Sequence, residues 1–275
     1  MDEKHKLNNI QQIELQALQE ILGIAKQQGW TVFLRGGSVM GAIKYQGFVP
    51  WDDDMDIALP RADYNALIKL LSSDWSQKFW MASYKKGDQI HTYFPRIMVK
   101  RETLKEQELP TNNDLGLTII DILPLDGVPS TKIGRLWFAL RVVILRALDA
   151  VWTLDAKKNV VNQKRWKDRV IKLLKFLRVN KFYTQNQIYD LLDKIYSKRE
   201  VNQSAWIGTI TGSLFAKELF PNKIWGEGRI TKFEDIDVKV PYYFDTYLKQ
   251  LYGNSYMLEE PIHKKSHLEG NIKRK

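Results

Sequence analysis

Apolar residues at helical spacing dominate the start of the chain. Between residues 10 and 28 they recur every third or fourth position, at Ile10, Ile13, Ala17, Leu18, Ile21, Leu22, Ile24 and Ala25. This spacing predicts an amphipathic helix, and Gly29 is a typical residue for its end. Shorter segments follow, with strands predicted at 31–34, 54–59, 92–99 and 117–122 and helices at 39–45 and 64–71. Ser38 is expected to cap the first of these helices.

Residues 132–181 show a different pattern of long amphipathic segments rich in positive charge. This stretch holds fourteen Lys or Arg residues and three Asp residues, so the net charge of the chain, +10, is concentrated here. Helices are predicted at 137–154, around Trp166 to Leu177, and at 184–200. A last helix at 244–252 is expected to stop at Gly253.

Composition narrows the class of protein. A chain of 275 residues that is 44% hydrophobic fits one large domain or two smaller ones. It has no Cys, which excludes a disulfide framework and a thiolate metal site. We see neither a secretory signal nor an apolar run of about 18 residues, so we expect a cytoplasmic protein without a membrane-spanning helix. The positive charge suits an anionic partner: a nucleotide, a nucleic acid or a lipid headgroup.

The most unusual feature of the sequence is an acidic cluster in this basic chain. Four carboxylates fall within five positions, at Asp52, Asp53, Asp54 and Asp56. Crowded carboxylates repel one another and raise each other's pKa. The cluster runs directly into an apolar segment, so it is not a solvated acidic tail. We therefore expect a cation among these side chains.

Strand alternation divides the cluster. Side chains two positions apart share a face, so Asp54 and Asp56 are expected to project together while Met55 and Ile57 enter the core. Such a pair suits Mg²⁺, which takes one or two protein carboxylates and leaves positions for phosphate and water. An EF-hand is excluded, because Ile57 stands where that loop needs glycine. An acidic turn without a metal is the alternative.

A glycine turn, Gly36-Gly37-Ser38, precedes the acidic cluster. Glycine lets the backbone approach a ligand closely, and amides at a helix N-terminus favour phosphate. Alone, such a turn also fits an ordinary connection between a strand and a helix. Followed by the acidic strand, it predicts an anion cradle beside a cation site, as phosphoryl transfer requires.

These segments together resemble the signature of the LicD family, within the nucleotidyltransferase-fold superfamily. The resemblance is dense over residues 34–64, LRGGSVMGAIKYQGFVPWDDDMDIALPRADY, and looser at 94–97, 119–126 and 244–256. It implies a three-acid site for Mg²⁺ or Mn²⁺, whose first two acids match Asp54 and Asp56. The third matches Asp121, in Ile119-Ile-Asp-Ile122. A strand-end cap is the alternative role for Asp121.

The resemblance also implies a reaction. Phosphocholine, from CDP-choline or a related CDP-alcohol, would pass to a sugar hydroxyl of a cell-surface glycan or teichoic acid precursor carried on lipid, and CMP would leave. The donor would bind at Gly36, Gly37 and Ser38, and Asp121 or Asp53 would deprotonate the acceptor. Two alternatives stay open: a nucleotidyltransferase that releases pyrophosphate, and a non-catalytic membrane or nucleic-acid adaptor.

Several further residues are candidates for contacts with the substrate. Lys44 and Arg96 lie next to the matched segments and are expected to neutralise phosphate charge. Weaker candidates for the same role are Arg35, Arg61 and Lys100. Trp51 is expected to contact a base or a choline headgroup, with core packing as the alternative. The sequence departs from the family near its C-terminus, which leaves the roles of His263 and His267 open.

The basic helices carry large apolar faces that include Trp137, Trp152 and Trp166. That combination suits a helix on an anionic membrane surface, and a solvated basic face is the alternative. No nucleic-acid motif is recognised, so we expect no nucleic-acid partner. We therefore expect peripheral contact with the inner face of the cell membrane.

The predicted fold class is α+β, with a small mixed sheet flanked by helices and a largely helical basic subdomain. The predicted segments are a nucleotidyltransferase-like catalytic core at 1–128, the basic helical subdomain at 129–203, and a segment at 204–275 that completes the fold.

Overall fold

The computed structural model describes residues 3–156, 183–212 and 215–258. The chain forms two compact units, Met1–Leu125 with Ile207–Lys275, and Asp126–Trp206. The helix predicted around Trp166 to Leu177 lies outside the described residues, as do His263 and His267.

The described residues form helices and strands in both units. The helices are α1 (Glu3–Gln28), α2 (Gly36–Met40, continued by a π-helical turn at Gly41–Tyr45), α3 (Arg61–Leu71), α4 (Arg101–Glu106), α5 (Lys132–Ala156), α6 (Gln185–Tyr196), α7 (Asn222–Trp225) and α8 (Phe244–Tyr252). The strands are β1 (Phe33–Leu34), β2 (Met55–Pro60), β3 (Phe79–Ala82), β4 (Arg96–Val99), β5 (Thr118–Val128), β6 (Trp206–Gly208), β7 (Leu219–Pro221), β8 (Arg229–Phe233) and β9 (Ile236–Val240).

A mixed seven-stranded sheet organises the first unit. Its main path is β1-β2-β5-β4-β3, with β6 beside β5 and β7 beside β6. β2 and β5 are parallel, whereas β1 pairs with β2, and β4 with β5, in antiparallel fashion. β8 and β9 form a separate hairpin. The predicted α+β class is confirmed.

Strand β5 is central because its sequence is almost continuously apolar. All eleven of its residues, TIIDILPLDGV, are buried, as expected for a strand covered on both faces. Helix α1 buries the face predicted from its spacing, with Ile10, Ile13, Ala17 and Ile21 essentially inaccessible. The core therefore forms around the two strands that carry the conspicuous aspartates.

The start of α2 differs from the prediction. The helix begins at Gly36, with Arg35 in an extended conformation before it, and no side chain caps it. Ser38 lies within the first turn, where its Oγ accepts a hydrogen bond from the Asp56 N–H at 2.9 Å. The hydroxyl is therefore used to join α2 to β2, not to cap the helix.

Other boundaries shift by several residues. The strand predicted at 92–99 begins only at Arg96, and the helix predicted at 137–154 extends over Lys132–Ala156. The helix predicted at 184–200 covers only Gln185–Tyr196, and Thr184 and Gln187 form a capping box that fixes its start. The last helix ends before Gly253, as predicted.

The second unit, described by itself, is built on the pairing of α5 with α6. Phe138 of α5 is buried with its ring centroid 6.2 Å from that of Tyr196 of α6. Arg135 lies over the ring of Trp206 at 4.5 Å and donates to the carbonyls of Pro129 and Ser130.

Among the described residues, no helix combines the length and the hydrophobicity that a membrane span requires.

Gly228 provides a test of how tightly the β8–β9 hairpin packs. Its φ is +78°, and a β-carbon there would lie 2.6 Å from Phe33 Cε1 and 2.5 Å from Lys239 Cγ. Gly87 has a similar φ of +81° but nothing within 4 Å of a β-carbon. We expect Gly87→Ala to lower the free energy of unfolding by about 1–2 kcal/mol, the cost of a left-handed Ala. Gly228→Ala should lose clearly more in urea denaturation, and equal losses would contradict the packing.

Candidate active site

The parallel pairing of β2 and β5 brings two acidic residues side by side. Asp56 and Asp121 are direct neighbours in the register of these strands. Along β2, Met55 and Ile57 are buried while Asp56 is only half-buried, and Asp54 just before the strand is also half-buried. The alternation predicted for this segment is therefore present, and Asp121 lies on the neighbouring strand.

A buried arginine connects this acidic pair to the C-terminal part of the first unit. Arg35 Nη1 lies 3.0 Å from Asp56 Oδ2, and its Nη2 forms an ion pair with Glu218, which is inaccessible to solvent. Arg35 Nε donates to Thr209 Oγ1 at 3.0 Å. Burial alone would lower the pKa of Arg35, but Asp56 and Glu218 together raise it. Arg35 therefore stays charged and fixes the orientation of Asp56.

A second arginine holds Asp121. Arg96 of β4 lies opposite Asp121 in the register, and its Nε is 3.0 Å from Asp121 Oδ1. Burial raises the pKa of the Asp121 carboxyl to about 7, and Asp56 and Asp54 add to this while Arg96 opposes it. Asp121 is therefore a carboxyl whose charge changes near neutral pH.

The glycine turn approaches the acidic pair closely. Gly36 has a φ of +54°, and a β-carbon there would lie 3.1 Å from Asp56 Oδ2 and 3.7 Å from Tyr252 Oη. The Gly36 N–H donates to Tyr247 Oη at 2.9 Å, and the Ser38 N–H donates to the Arg35 carbonyl at 3.0 Å. At Gly37, a β-carbon would lie 3.3 Å from Asp52 Oδ2. Two of the three predicted cradle amides thus bond within the chain, and the role of the turn in binding phosphate stays a prediction.

Helix α1 also contacts the acidic cluster. Gln11 Nε2 donates to the carbonyls of Asp52 at 3.0 Å and Val49 at 3.3 Å. One turn later, Glu14 is inaccessible to solvent and neither of its carboxylate oxygens has a hydrogen-bond partner. Burial, followed by the charges of Asp54, Asp52 and Asp53, raises the pKa of Glu14 well above its usual value. Glu14 is therefore expected to be protonated beside the cluster.

The predicted substrate contacts occupy different environments. Trp51 is half-buried, with its ring centroid 6.0 Å from that of Tyr45 in an edge-to-face arrangement. Lys44 Nζ donates to the Tyr256 carbonyl at 3.2 Å. Asp53 is inaccessible to solvent. The roles of these residues in substrate binding stay predictions.

The donor chemistry of the acidic residues suits a hard divalent cation. Asp54, Asp56 and Asp121 offer only carboxylate oxygens, the ligands that Mg²⁺ prefers. The upward pKa shift that Asp54 and Asp56 produce on Asp121 records a repulsion that a cation would relieve. As their side chains stand, the described residues contain no group of three or more acidic or His side chains able to hold a metal ion. Arg35 and Arg96 pair with two of the carboxylates instead.

Sequence reasoning missed most of the supporting residues. Glu14 had a visible signal, because it interrupts the apolar stripe of α1 between Ile10 and Ala17. Glu218 and Tyr247 had none, because each meets the glycine turn across more than 180 residues of chain. Only the folded structure brings them to Arg35 and Gly36.

Comparison with known proteins agrees with the resemblance seen in the sequence. Residues 29–129 match the sequence model described as LicD/FKTN/FKRP, nucleotidyltransferase domain. The chain is also 26% identical over 240 residues to the lipopolysaccharide cholinephosphotransferase LicD of Haemophilus influenzae, a match that covers 85% of each chain. The resemblance to the LicD family is confirmed.

Glu218 allows a test of the buried arginine network. Glu218→Ala leaves the guanidinium of Arg35 buried with one carboxylate fewer, so we expect the free energy of unfolding to fall by about 3–5 kcal/mol. Asp237→Ala is the matched control, because Asp237 pairs with Lys232 on the surface, 2.8 Å apart. That change should cost less than about 1 kcal/mol. Similar losses in urea denaturation would contradict the importance of the buried pair.

The raised pKa of Asp121 predicts that the stability of the chain depends on pH in metal-free buffer. This pKa is about 7 in the folded chain, whereas the pKa of an unperturbed Asp side chain is about 3.9. Between these two pH values the folded state holds a proton that the unfolded state has lost. The contribution of Asp121 to the free energy of unfolding should therefore fall as pH rises through this range, by up to about 1.4 kcal/mol per pH unit.

Urea denaturation of wild type and Asp121→Asn at several pH values, with EDTA present, measures this contribution as a difference. The exposed Asp74→Asn serves as the control, since its side chain is 84% accessible. A difference between wild type and Asp121→Asn that is constant with pH would show that the carboxyl titrates normally.

Proposed function

We propose that the chain transfers phosphocholine from CDP-choline to a sugar hydroxyl of a cell-surface glycan, a proposal supported by the match of residues 29–129 to the LicD/FKTN/FKRP nucleotidyltransferase domain. The chain is a LicD-like phosphotransferase. The acceptor would be built on a lipid, as in a lipopolysaccharide or teichoic acid precursor. The name of the Haemophilus influenzae relative supports the choice of phosphocholine.

The observation that carries this proposal is the placement of Asp56 beside Asp121 on parallel strands, next to the Gly36 turn. Phosphoryl transfer involves little covalent chemistry by the protein and depends on positioning and on the neutralisation of charge. A site with paired carboxylates and a close backbone approach is suited to hold a cation and phosphate oxygens together.

In the proposed reaction, the acceptor hydroxyl oxygen forms a bond to the phosphorus that bears choline. The bond from that phosphorus to the bridging oxygen of the pyrophosphate breaks, and CMP leaves with the electron pair. The hydroxyl proton passes to a carboxylate of the protein. Asp121 is the better candidate for this base than Asp53, because Asp121 lies beside Asp56 on the paired strands whereas Asp53 is inaccessible to solvent.

Each arginine in the site has a positioning role in this proposal. Arg35 orients Asp56 and is itself fixed by Glu218 and Thr209. Arg96 orients Asp121 and lies half-buried at the site, where a phosphate would compete with Asp121 for its charge. Asp54, Asp56 and Asp121 would hold Mg²⁺ or Mn²⁺, which when bound would neutralise phosphate charge.

A second candidate function is nucleotidyl transfer, which the description of the matched family favours. The same site would then move a nucleoside monophosphate from a nucleoside triphosphate and release pyrophosphate. The two functions differ in product, since phosphocholine transfer releases CMP and no pyrophosphate.

The decisive experiment incubates the chain with Mg²⁺ and a panel of CDP-alcohols, with and without a glycan acceptor, and measures CMP. We expect acceptor-dependent CMP release that is highest with CDP-choline and is lost on chelation. Pyrophosphate release from nucleoside triphosphates, without CMP release, would favour the second candidate and overturn the first.

The carboxylates are tested by the double variant Asp54→Asn with Asp56→Asn. Loss of the charges that bind the cation should lower CMP release by more than about a hundredfold. Mg²⁺ should also raise the melting temperature of the wild type and leave that of the double variant unchanged. The exposed Asp74→Asn controls for a general effect of charge, and a double variant with full activity would rule out catalysis at this site.

A further inference from the structure

Helix α5 exposes a continuous apolar stripe. Its members recur every third or fourth position and lie on one side of the helix: Ile133, Leu136, Trp137, Leu140, Val143 and Ile144. Their side chains are 47–72% exposed, among the most exposed large apolar residues of the described chain. Contiguous apolar patches of this kind mark contact sites for a protein or a membrane.

The stripe is not the face that packs into the second unit. Phe138 and Val142 occupy the opposite side of α5 and are buried, with Phe138 against Tyr196 of α6. The helix therefore already has a core face, and an amphipathic helix of a small unit needs only one. The stripe is a second apolar face on the same helix.

Positive charge borders this stripe on both sides. On a helical projection, Lys132 lies along one edge and Arg141 along the other, and both are exposed. Between residues 132 and 148 the helix contains no Asp or Glu, and Asp149 beyond them accepts a hydrogen bond from Gln185. In sequence, residues 157–181 add ten Lys or Arg against one Asp.

We propose that the α5 stripe binds the surface of an anionic phospholipid bilayer. The apolar side chains would enter the boundary between headgroups and acyl chains, while Lys132 and Arg141 remain at the level of the lipid phosphates. Charge complementarity favours an anionic bilayer over a second copy of this chain, because the chain is itself strongly basic. It also favours a lipid surface over nucleic acid, since six exposed apolar side chains offer nothing to a phosphate backbone. This proposal is independent of the proposed reaction.

The absence of Cys from the chain permits a site-specific test. The full chain would carry Ile144→Cys labelled with an environment-sensitive fluorophore, and Ile230→Cys as a matched control. Ile230 is a 59% exposed apolar residue of β8, outside the stripe. We expect the label at position 144 to brighten and shift to the blue with phosphatidylcholine vesicles that contain phosphatidylglycerol. The shift should weaken with salt and with phosphatidylcholine alone, and the label at position 230 should not respond.

Vesicle cosedimentation of unlabelled variants measures the strength of binding. Leu136→Ala with Trp137→Ala should weaken vesicle binding by about tenfold or more, because two large apolar side chains would no longer be transferred from water into the bilayer. Lys132→Gln with Arg141→Gln should weaken it by about tenfold on anionic vesicles and reduce the preference for them. Ile230→Ala should leave binding unchanged, and thermal melting checks that every variant folds.

Three outcomes would overturn the proposal. The first is a label at position 144 that is already blue-shifted without vesicles and indifferent to them, which means that a second copy or the chain itself covers the stripe. The second is an equal response at positions 144 and 230. The third is that the folded variant with Leu136→Ala and Trp137→Ala binds vesicles as strongly as the wild type does.

Discussion

The buried contact of Arg35 with Asp56 and Glu218 is the constraint on which the candidate site depends. It joins the glycine turn, the acidic strand β2 and a segment near the C-terminus through one guanidinium that is almost inaccessible to solvent. Removing the charges of Arg35 and Glu218 from water is costly, and a buried pair is stabilising only when its geometry and hydrogen bonds are good. Thr209 supplies one of those hydrogen bonds. The network thus fixes Asp56 in orientation more than it adds to the stability of the chain.

The arginines of the site are largely engaged by the protein's own carboxylates. Arg35 pairs with Asp56 and Glu218, and Arg96 pairs with Asp121. The carboxylates are therefore neutralised in part by fixed cations, which explains how a folded chain tolerates this acidic cluster. At Glu14, burial and the neighbouring Asp charges raise the pKa, which favours the protonated form of this side chain. A phosphate entering the site would compete with Asp121 for Arg96 instead of meeting a free cation.

Local patterns in the sequence predicted the parts of the fold that depend on neighbouring residues. The period of α1, the alternation around Asp54 and Asp56, and the stop at Gly253 all have a cause within a few residues. The predicted start of α2 was wrong, because the sequence does not distinguish Ser38 as an N-cap from Ser38 in the first turn of the helix. The long-range hydrogen bond between Ser38 and Asp56 of β2 decides between the two positions. The hairpin β8–β9 was missed although its residues alternate. Glu218 and Tyr247 could not be found, since no periodicity links positions so far apart.

The separation of Arg35 from Glu218, 183 residues of chain, also has a consequence for synthesis in the cell. A growing chain that has completed the glycine turn and the acidic strand still lacks the carboxylate that completes the burial of Arg35. Contacts of such high sequence separation form late, because loop closure must precede them. The first half of the chain, which carries the glycine turn and the acidic strand, is therefore synthesised long before the residues that complete the site. Ribosome-bound chains that stop short of residue 218 hold every acidic residue of the site and lack the anchor that orients Asp56.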